Sequence, residues 1–240
     1  PSAYGWFPAR TRLCFCFEAL LPERLFRMST VHWKGAPTES KEDVESQIMA
    51  YLVKEMFLTL QGEGARAGTA AVFLRFAGCN LWTGREIDRD NAVCQFCDTD
   101  FVGTNGSGGG RFDSAEQLAE AVRAAWTGEA TKGNKWVVIT GGEPALQVDD
   151  ALVRSLHAQS FRIAIETNGT LELPDGIDWV CVSPKAGSEL VVKNGHELKL
   201  VFPQVDFLPE QFESLAFAHF LIQPMDGLLR KKNTELAIQY

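Results

Sequence analysis

Long hydrophobic runs are missing from this 240-residue sequence. No apolar stretch approaches the roughly 20 residues that cross a bilayer, and Leu13 to Leu21 is interrupted by Glu18 and lacks a small-residue cleavage site. The expectation is a cytoplasmic protein with no membrane partner. A basic excess is missing too. The formal charge is −8, and before Met49 the basic Arg10, Arg12, Arg24, Arg27, Lys34 and Lys41 are matched by Glu18, Glu23, Glu39, Glu42, Asp43 and Glu45. The acidic surplus therefore lies from Met49 onward, which speaks against a nucleic-acid partner, since such a groove needs a basic face. Histidine is scarce: only His157, His196 and His219 follow Met49, and they are far apart in sequence. Cysteine is also too sparse for a disulfide framework, but three of the six crowd between positions 79 and 97, a pattern of metal binding. What is present, 45% hydrophobic residues, suffices for the core of one domain or of one domain plus an appendage.

The first 48 residues differ from the rest: they begin with Pro1, hold Cys14 and Cys16, and end in the polar run Thr38 to Gln47. They read as a disordered or non-native extension, with residues 49–240 as the folded domain. From Met49 onward, short β-rich apolar runs alternate with helical patterns. The runs are Ala71 to Phe76, Trp136 to Thr140, Phe161 to Glu166, Trp179 to Ser183, Leu198 to Phe202 and Phe220 to Gln223. Ser114-Ala115-Glu116-Gln117 is a capping box ahead of Leu118, Val122 and Trp126 on one helical face. Leu146 to Leu156 and Pro209 to Phe217 supply two further helices. Continuous apolar strands separated by helices favour a parallel sheet of the α/β class. Polar, Gly-rich or Pro-rich sequence follows five strands: Ala77-Gly78-Cys79, Gly141-Gly142-Glu143-Pro144, Thr167-Asn168-Gly169, Pro184-Lys185 and Pro224-Met225-Asp226. Reacting groups gather at the carboxyl ends of parallel strands, so one shared site is expected there.

Cys79, Cys94 and Cys97 form C-x14-C-x2-C just after a strand. A closed structural zinc site needs four ligands, and a thioredoxin-like pair leaves Cys79 unused. Three thiolates around a [4Fe-4S] cluster leave one iron open for a chelating cofactor. Zinc and iron-sulfur both stay open on ligand count. Gly142 allows close backbone approach, and Glu143 offers an acceptor to an ammonium at a strand end. Cys181, inside a strand, reads as a small core hydrophobe, and Gly103 to Gly110 as a flexible connector without the Lys-Ser/Thr of a phosphate loop.

The three-cysteine motif with Gly142-Glu143 one strand later resembles the radical S-adenosylmethionine (SAM) superfamily. The segments Phe57 to Gly64, Arg75 to Trp82, Cys94 to Gly103, Glu166 to Gly169, Ser183 to Lys185 and Gln223 to Asp226 are similar to the 7-carboxy-7-deazaguanine synthase family, a subset of which shares the C-x14-C-x2-C spacing. The resemblance implies a trimmed, incomplete β/α barrel and a homodimer served by a flavodoxin or ferredoxin-type electron donor. It also implies a [4Fe-4S] cluster, SAM, Mg²⁺ and a carboxytetrahydropterin substrate. By the same resemblance, Cys79, Cys94 and Cys97 hold the cluster and Thr99 the Mg²⁺. Leu60, Gln61, Gly62, Arg75 and Thr140 meet the pterin, Arg75 forking onto its carboxylate. Phe96, Cys97, Asp98, Gly142, Glu143, Glu166, Ser183, Pro184, Lys185, Gln223, Pro224, Met225 and Asp226 line SAM. Relatives continue past Tyr240, so the domain over 49–240 reads as truncated at its carboxyl end. Two rivals remain: a radical SAM activase of a glycyl-radical enzyme, against which Leu60 to Gly64 and the long insertion speak, and a noncatalytic zinc-binding module.

Overall fold

The computed structural model describes residues 50–127 and 135–240. The extension expected over residues 1–48, with Cys14 and Cys16, lies outside the described residues. The apolar runs become an eight-stranded open sheet in the order β3-β1-β2-β4-β5-β6-β7-β8. The six expected strands are β2 (Ala70–Phe76), β4 (Lys135–Gly141), β5 (Phe161–Thr167), β6 (Trp179–Val182), β7 (Asn194–Phe202) and β8 (Ala216–Pro224), all parallel. Two further strands, β1 (Tyr51–Leu60) and β3 (Gly110–Phe112), add antiparallel pairs at one edge. The α/β sheet is therefore mostly parallel and not closed.

Period-two alternation sorts each strand into an outer and an inner face. Outward, Val72, Leu74, Phe76, Val137, Ile139, Ile163 and Ile165 pack into one core with helices α1 (Ala115–Ala125) and α2 (Asp150–Ala158). Helix α1 starts where the capping box predicts, with the Ser114 hydroxyl accepting from Gln117 N–H at 3.2 Å, and it buries Leu118 and Val122. The second helix begins later than its apolar pattern, because Pro144–Leu146 is a separate turn and the Asp149 carboxylate caps α2 by accepting from Leu152 N–H. The helix expected over Pro209 to Phe217 shrinks to a single turn, Pro209–Gln211, and Ala216 already opens β8. A final helix, α3 (Arg230–Gln239), follows β8. No helix among the described residues is long and apolar enough to cross a membrane.

The glycine-rich segment 103–110 is not a free connector. Its Gly106 N–H donates to Lys54 O at 2.9 Å, and Met56 N–H donates to Ser107 O at 2.7 Å, so it packs along β1 where the register slips at Lys54. That β-bulge turns the Lys54 ammonium onto Val102 O, Asn105 Oδ1 and Asp100 Oδ2, which fixes the chain just after the cysteine motif.

Candidate active site

The long spacing between Cys79 and Cys94 folds into an ordered loop that returns the chain to its start. Val93 and Cys94 N–H both donate to Leu81 O, at 3.1 and 3.3 Å, which places Cys94 beside the turn that holds Cys79. The loop's turn at Glu86–Asn91 carries Arg89, whose guanidinium stacks over Trp82 at 4.1 Å and donates to Gln95 O and Cys97 O. Trp82 in turn packs edge-on against Phe101. The insertion thus stiffens the Cys94–Cys97 segment. Burial pushes the Cys79 and Cys94 thiols up, against backbone N–H groups at Cys79 and the Lys185 charge beside Cys94.

The same turn docks on the next strand end. Glu143 N–H donates to Gly78 O at 2.9 Å, and Gly142 lies so close that a Cβ there would stand 2.4 Å from Gly78 O and 2.6 Å from Cys79 Cβ. Only glycine fits. Glu143 itself has no exposed surface and does not face the cleft. Its carboxylate accepts from Thr167 Oγ1 and Asn168 N–H, both at 2.7 Å, and from Ala145 N–H at 2.9 Å. Burial pushes its pKa up, and those donors pull it back in part. Backbone donors reach both its oxygens, so it orders the wall from behind, and of the roughly four acceptor sites of a carboxylate these three bonds leave one for a further donor. Asn168 continues the wall, donating to Asn80 Oδ1 at 3.0 Å.

A cleft of about 250 Å³ opens at the carboxyl ends of the strands, bordered by Cys79, Cys94, Cys97, Asp98, Thr99, Thr140, Gly142, Glu166, Ser183, Lys185 and Gln223. It shares Cys94, Cys97, Asp98, Thr99, Lys185 and Gln223 with an adjoining space of about 410 Å³ that adds Phe96, Pro224, Met225 and Asp226. The Lys185 ammonium donates to Ser183 O and Oγ, and burial pushes its pKa down against the thiols and Glu143 nearby. Pro184 is buried beside it.

The other expected residues stand at the edges. Gln61 is not on the cleft lining; it is 8% exposed, with its amide donating at 2.6 Å to Oε1 of Glu166, which does border the cleft. Gly62 has open space around it, and Leu60 is exposed. Arg75 pairs in register with Thr140 on the inner face, and its Nε is bound to Glu55 Oε1 at 2.8 Å. It does not border the cleft; the rest of its guanidinium has no other ion pair or hydrogen bond among the described residues.

Two residues absent from the sequence reading, Glu63 and Lys199, border the cleft. Lys199 donates to Glu63 Oε2 at 2.7 Å and Glu166 Oε2 at 2.9 Å, and Gln223 Nε2 donates to Glu63 Oε1 at 3.0 Å. The charged alternation of Glu197 and Lys199 within the apolar run of β7 was the available signal.

Among the described residues, no three His, Cys, Asp or Glu side chains converge tightly enough to hold one metal ion. Three cysteines border one cleft, the number that leaves one iron of a cubane cluster open.

No family model matches the chain. It is 64% identical over 192 residues to the 7-carboxy-7-deazaguanine synthase of Bradyrhizobium diazoefficiens and to that of Bordetella pertussis, covering 80% of this chain and 90% of each relative. It is 39% identical over 197 residues to the 7-carboxy-7-deazaguanine synthase of Bacteroides thetaiotaomicron, covering 78% of this chain and 93% of that one. Among solved structures it is similar to QueE from Escherichia coli, with a TM-score of 0.56 and 27% identity over 79% of this chain and 88% of that chain.

Proposed function

The chain belongs to the 7-carboxy-7-deazaguanine synthase family, and on that premise we propose that it converts 6-carboxy-5,6,7,8-tetrahydropterin to 7-carboxy-7-deazaguanine with loss of ammonia. It is read as a radical SAM lyase of queuosine and deazapurine biosynthesis, working in the cytoplasm as a homodimer with a flavodoxin or ferredoxin-type donor. The observation that carries the reading is the meeting of Cys79, Cys94 and Cys97 with strand-end residues of β4 to β8 around one cleft.

The donor set fits a [4Fe-4S] cluster, since among the described residues three thiols and no fourth cysteine border the cleft. Cys79, Cys94 and Cys97 would hold the cluster, which, given one electron by the donor protein, would supply reductive cleavage of SAM and with it the means of hydrogen abstraction from the pterin. The chain's own residues bind, orient and exclude water. Gly142, Ser183, Lys185 and the Gln223 to Asp226 segment border the space assigned to SAM, with Phe96 and Asp98 opposite. Thr99 would offer one oxygen to a Mg²⁺ ion, a hard cation that takes oxygen ligands. Arg75 has nitrogens to spare for a carboxylate once Glu55 has taken Nε. Gln61, with Leu60, Gly62 and Thr140, meets the pterin ring. Glu166, placed with SAM by the resemblance, shares its hydrogen bonds with Gln61 and Lys199, which supports a place at the boundary between the two ligands.

The test is anaerobic incubation of the reconstituted enzyme with SAM, Mg²⁺, a reductant and the carboxytetrahydropterin, followed by mass detection of the deazaguanine acid. Product from wild type and none from an iron-poor Cys94→Ser variant is expected. A colourless wild-type protein holding zinc and forming no product would overturn the reading.

A further inference from the structure

The loop between β1 and β2 is held by far more than its own strands. It carries Gln61 and Gly62, and from residue 61 to 69 it crosses the inner face of the open sheet. Trp136 of β4 stacks under the Arg66 guanidinium at 3.4 Å, and Trp179 of β6 lies 5.3 Å from the same group. Glu166 of β5 takes the Gln61 amide, and Gln223 of β8 reaches Glu63. The tightest hold comes from β7. Lys199, 6% exposed, clamps Glu63 to Glu166. Glu197, two residues earlier on the same face and 2% exposed, accepts from Ala65 N–H at 3.1 Å. Against it lies Gly64, with φ of +72° and so little room that a Cβ would stand 2.1 Å from Glu197 Oε1. Five strands thus grip one loop.

We infer that Lys199 and Glu197 are positioning residues for the substrate: they dock this loop on the sheet and so set where Gln61 and Gly62 meet the pterin. The inference rests on the pterin reading above. An ion pair of this kind contributes little net stability compared with apolar packing, so its use here is geometric. Lys199 also fixes the charge of the floor, since it holds Glu63 below the ordinary carboxylate range, against the upward push of burial. The cysteine loop and the Gly142 turn make none of these contacts, so cluster binding is independent of the dock, whereas Glu166 and Gln223 belong both to the dock and to the wall assigned to SAM.

The experiment compares Lys199→Met and Gly64→Ala, which loosen the dock from opposite sides, with Lys199→Arg and Gln61→Ala. Pterin dissociation constants are measured by equilibrium dialysis on the reconstituted enzyme with SAM bound, alongside iron content, SAM affinity, KM and kcat. Because small misplacement of a bound ligand is costly, Lys199→Met and Gly64→Ala are each expected to weaken pterin binding about tenfold or more. KM for the pterin should rise more than kcat falls, with iron content within about twofold of wild type, SAM affinity less affected than pterin affinity, and the double variant little worse than either single. Lys199→Arg should recover part of the loss. Unchanged pterin affinity in both dock variants, with a clear loss in Gln61→Ala, would overturn the inference alone. No loss in Gln61→Ala either would overturn the pterin reading and the inference with it. A parallel loss of iron, SAM and pterin in Lys199→Met, with Gly64→Ala behaving as wild type, would mark a folding defect and likewise overturn it.

Discussion

Glu143 carries more of the architecture than a residue in a Gly-Gly-Glu-Pro turn would be expected to. Three donors from two segments converge on its buried carboxylate, and through Asn168 and Asn80 the same network reaches the loop of the first cysteine. Glu143→Ala strands all three donors in a dry place, at about 1–3 kcal/mol for each one left unpaired. Loss of about 3 kcal/mol or more of unfolding free energy is expected, with a smaller loss for Glu143→Gln, measured by urea denaturation. A loss below about 1 kcal/mol would mean that water reaches the site. At this scale the cysteines were legible because their spacing is a chemical count. The direction of Glu143 was not, because spacing does not tell whether a strand-end carboxylate faces a ligand or a backbone N–H. Arg75 was half legible: its position in β2 could be read, but its partner Glu55 lies across an antiparallel pairing that the sequence did not announce.

Among the elements, the six parallel strands were readable as apolar runs, whereas β1 was not, since Lys54 and Glu55 interrupt its alternation at the bulge. Segment 209–217 looked helical by pattern and gave way to β8, where pairing along β7 outweighed local preference. The loop between β1 and β2 could be read as a turn but not as a plug, since its partners lie from Trp136 to Gln223. Its pH behaviour follows from the charges that hold it. Burial pushes Glu63 up, and the hydrogen bond and charge of Lys199 outweigh that, so its pKa is lowered from 4.5. A lowered carboxylate contributes stability that is present above its ordinary value and lost as pH falls through the depressed one. Lys199, raised from 10.5 mainly by Glu166 against burial, contributes stability lost only at strongly alkaline pH. The unfolding free-energy difference between wild type and Glu63→Gln is therefore expected to stay level across neutral pH and shrink below about pH 4.5. Urea denaturation at a series of pH values checks this, and a difference that persists unchanged to pH 3 would contradict it.

For the whole molecule, the class and the location of the site were readable because parallel strands deliver their carboxyl ends to one place, and five such ends carried polar motifs. How an open sheet is closed was not readable, because closure depends on contacts between distant segments, Arg66 with Trp136 and Glu63 with Lys199 above all. The account's central claim is that this cleft brings SAM and the carboxytetrahydropterin together for hydrogen transfer at C6. It is tested most directly by anaerobic turnover of substrate deuterated at C6, with mass analysis of recovered SAM and of the deazaguanine acid. The account predicts product together with deuterium carried into SAM, which is regenerated each turnover. Product that forms while neither SAM nor 5′-deoxyadenosine gains deuterium would contradict it.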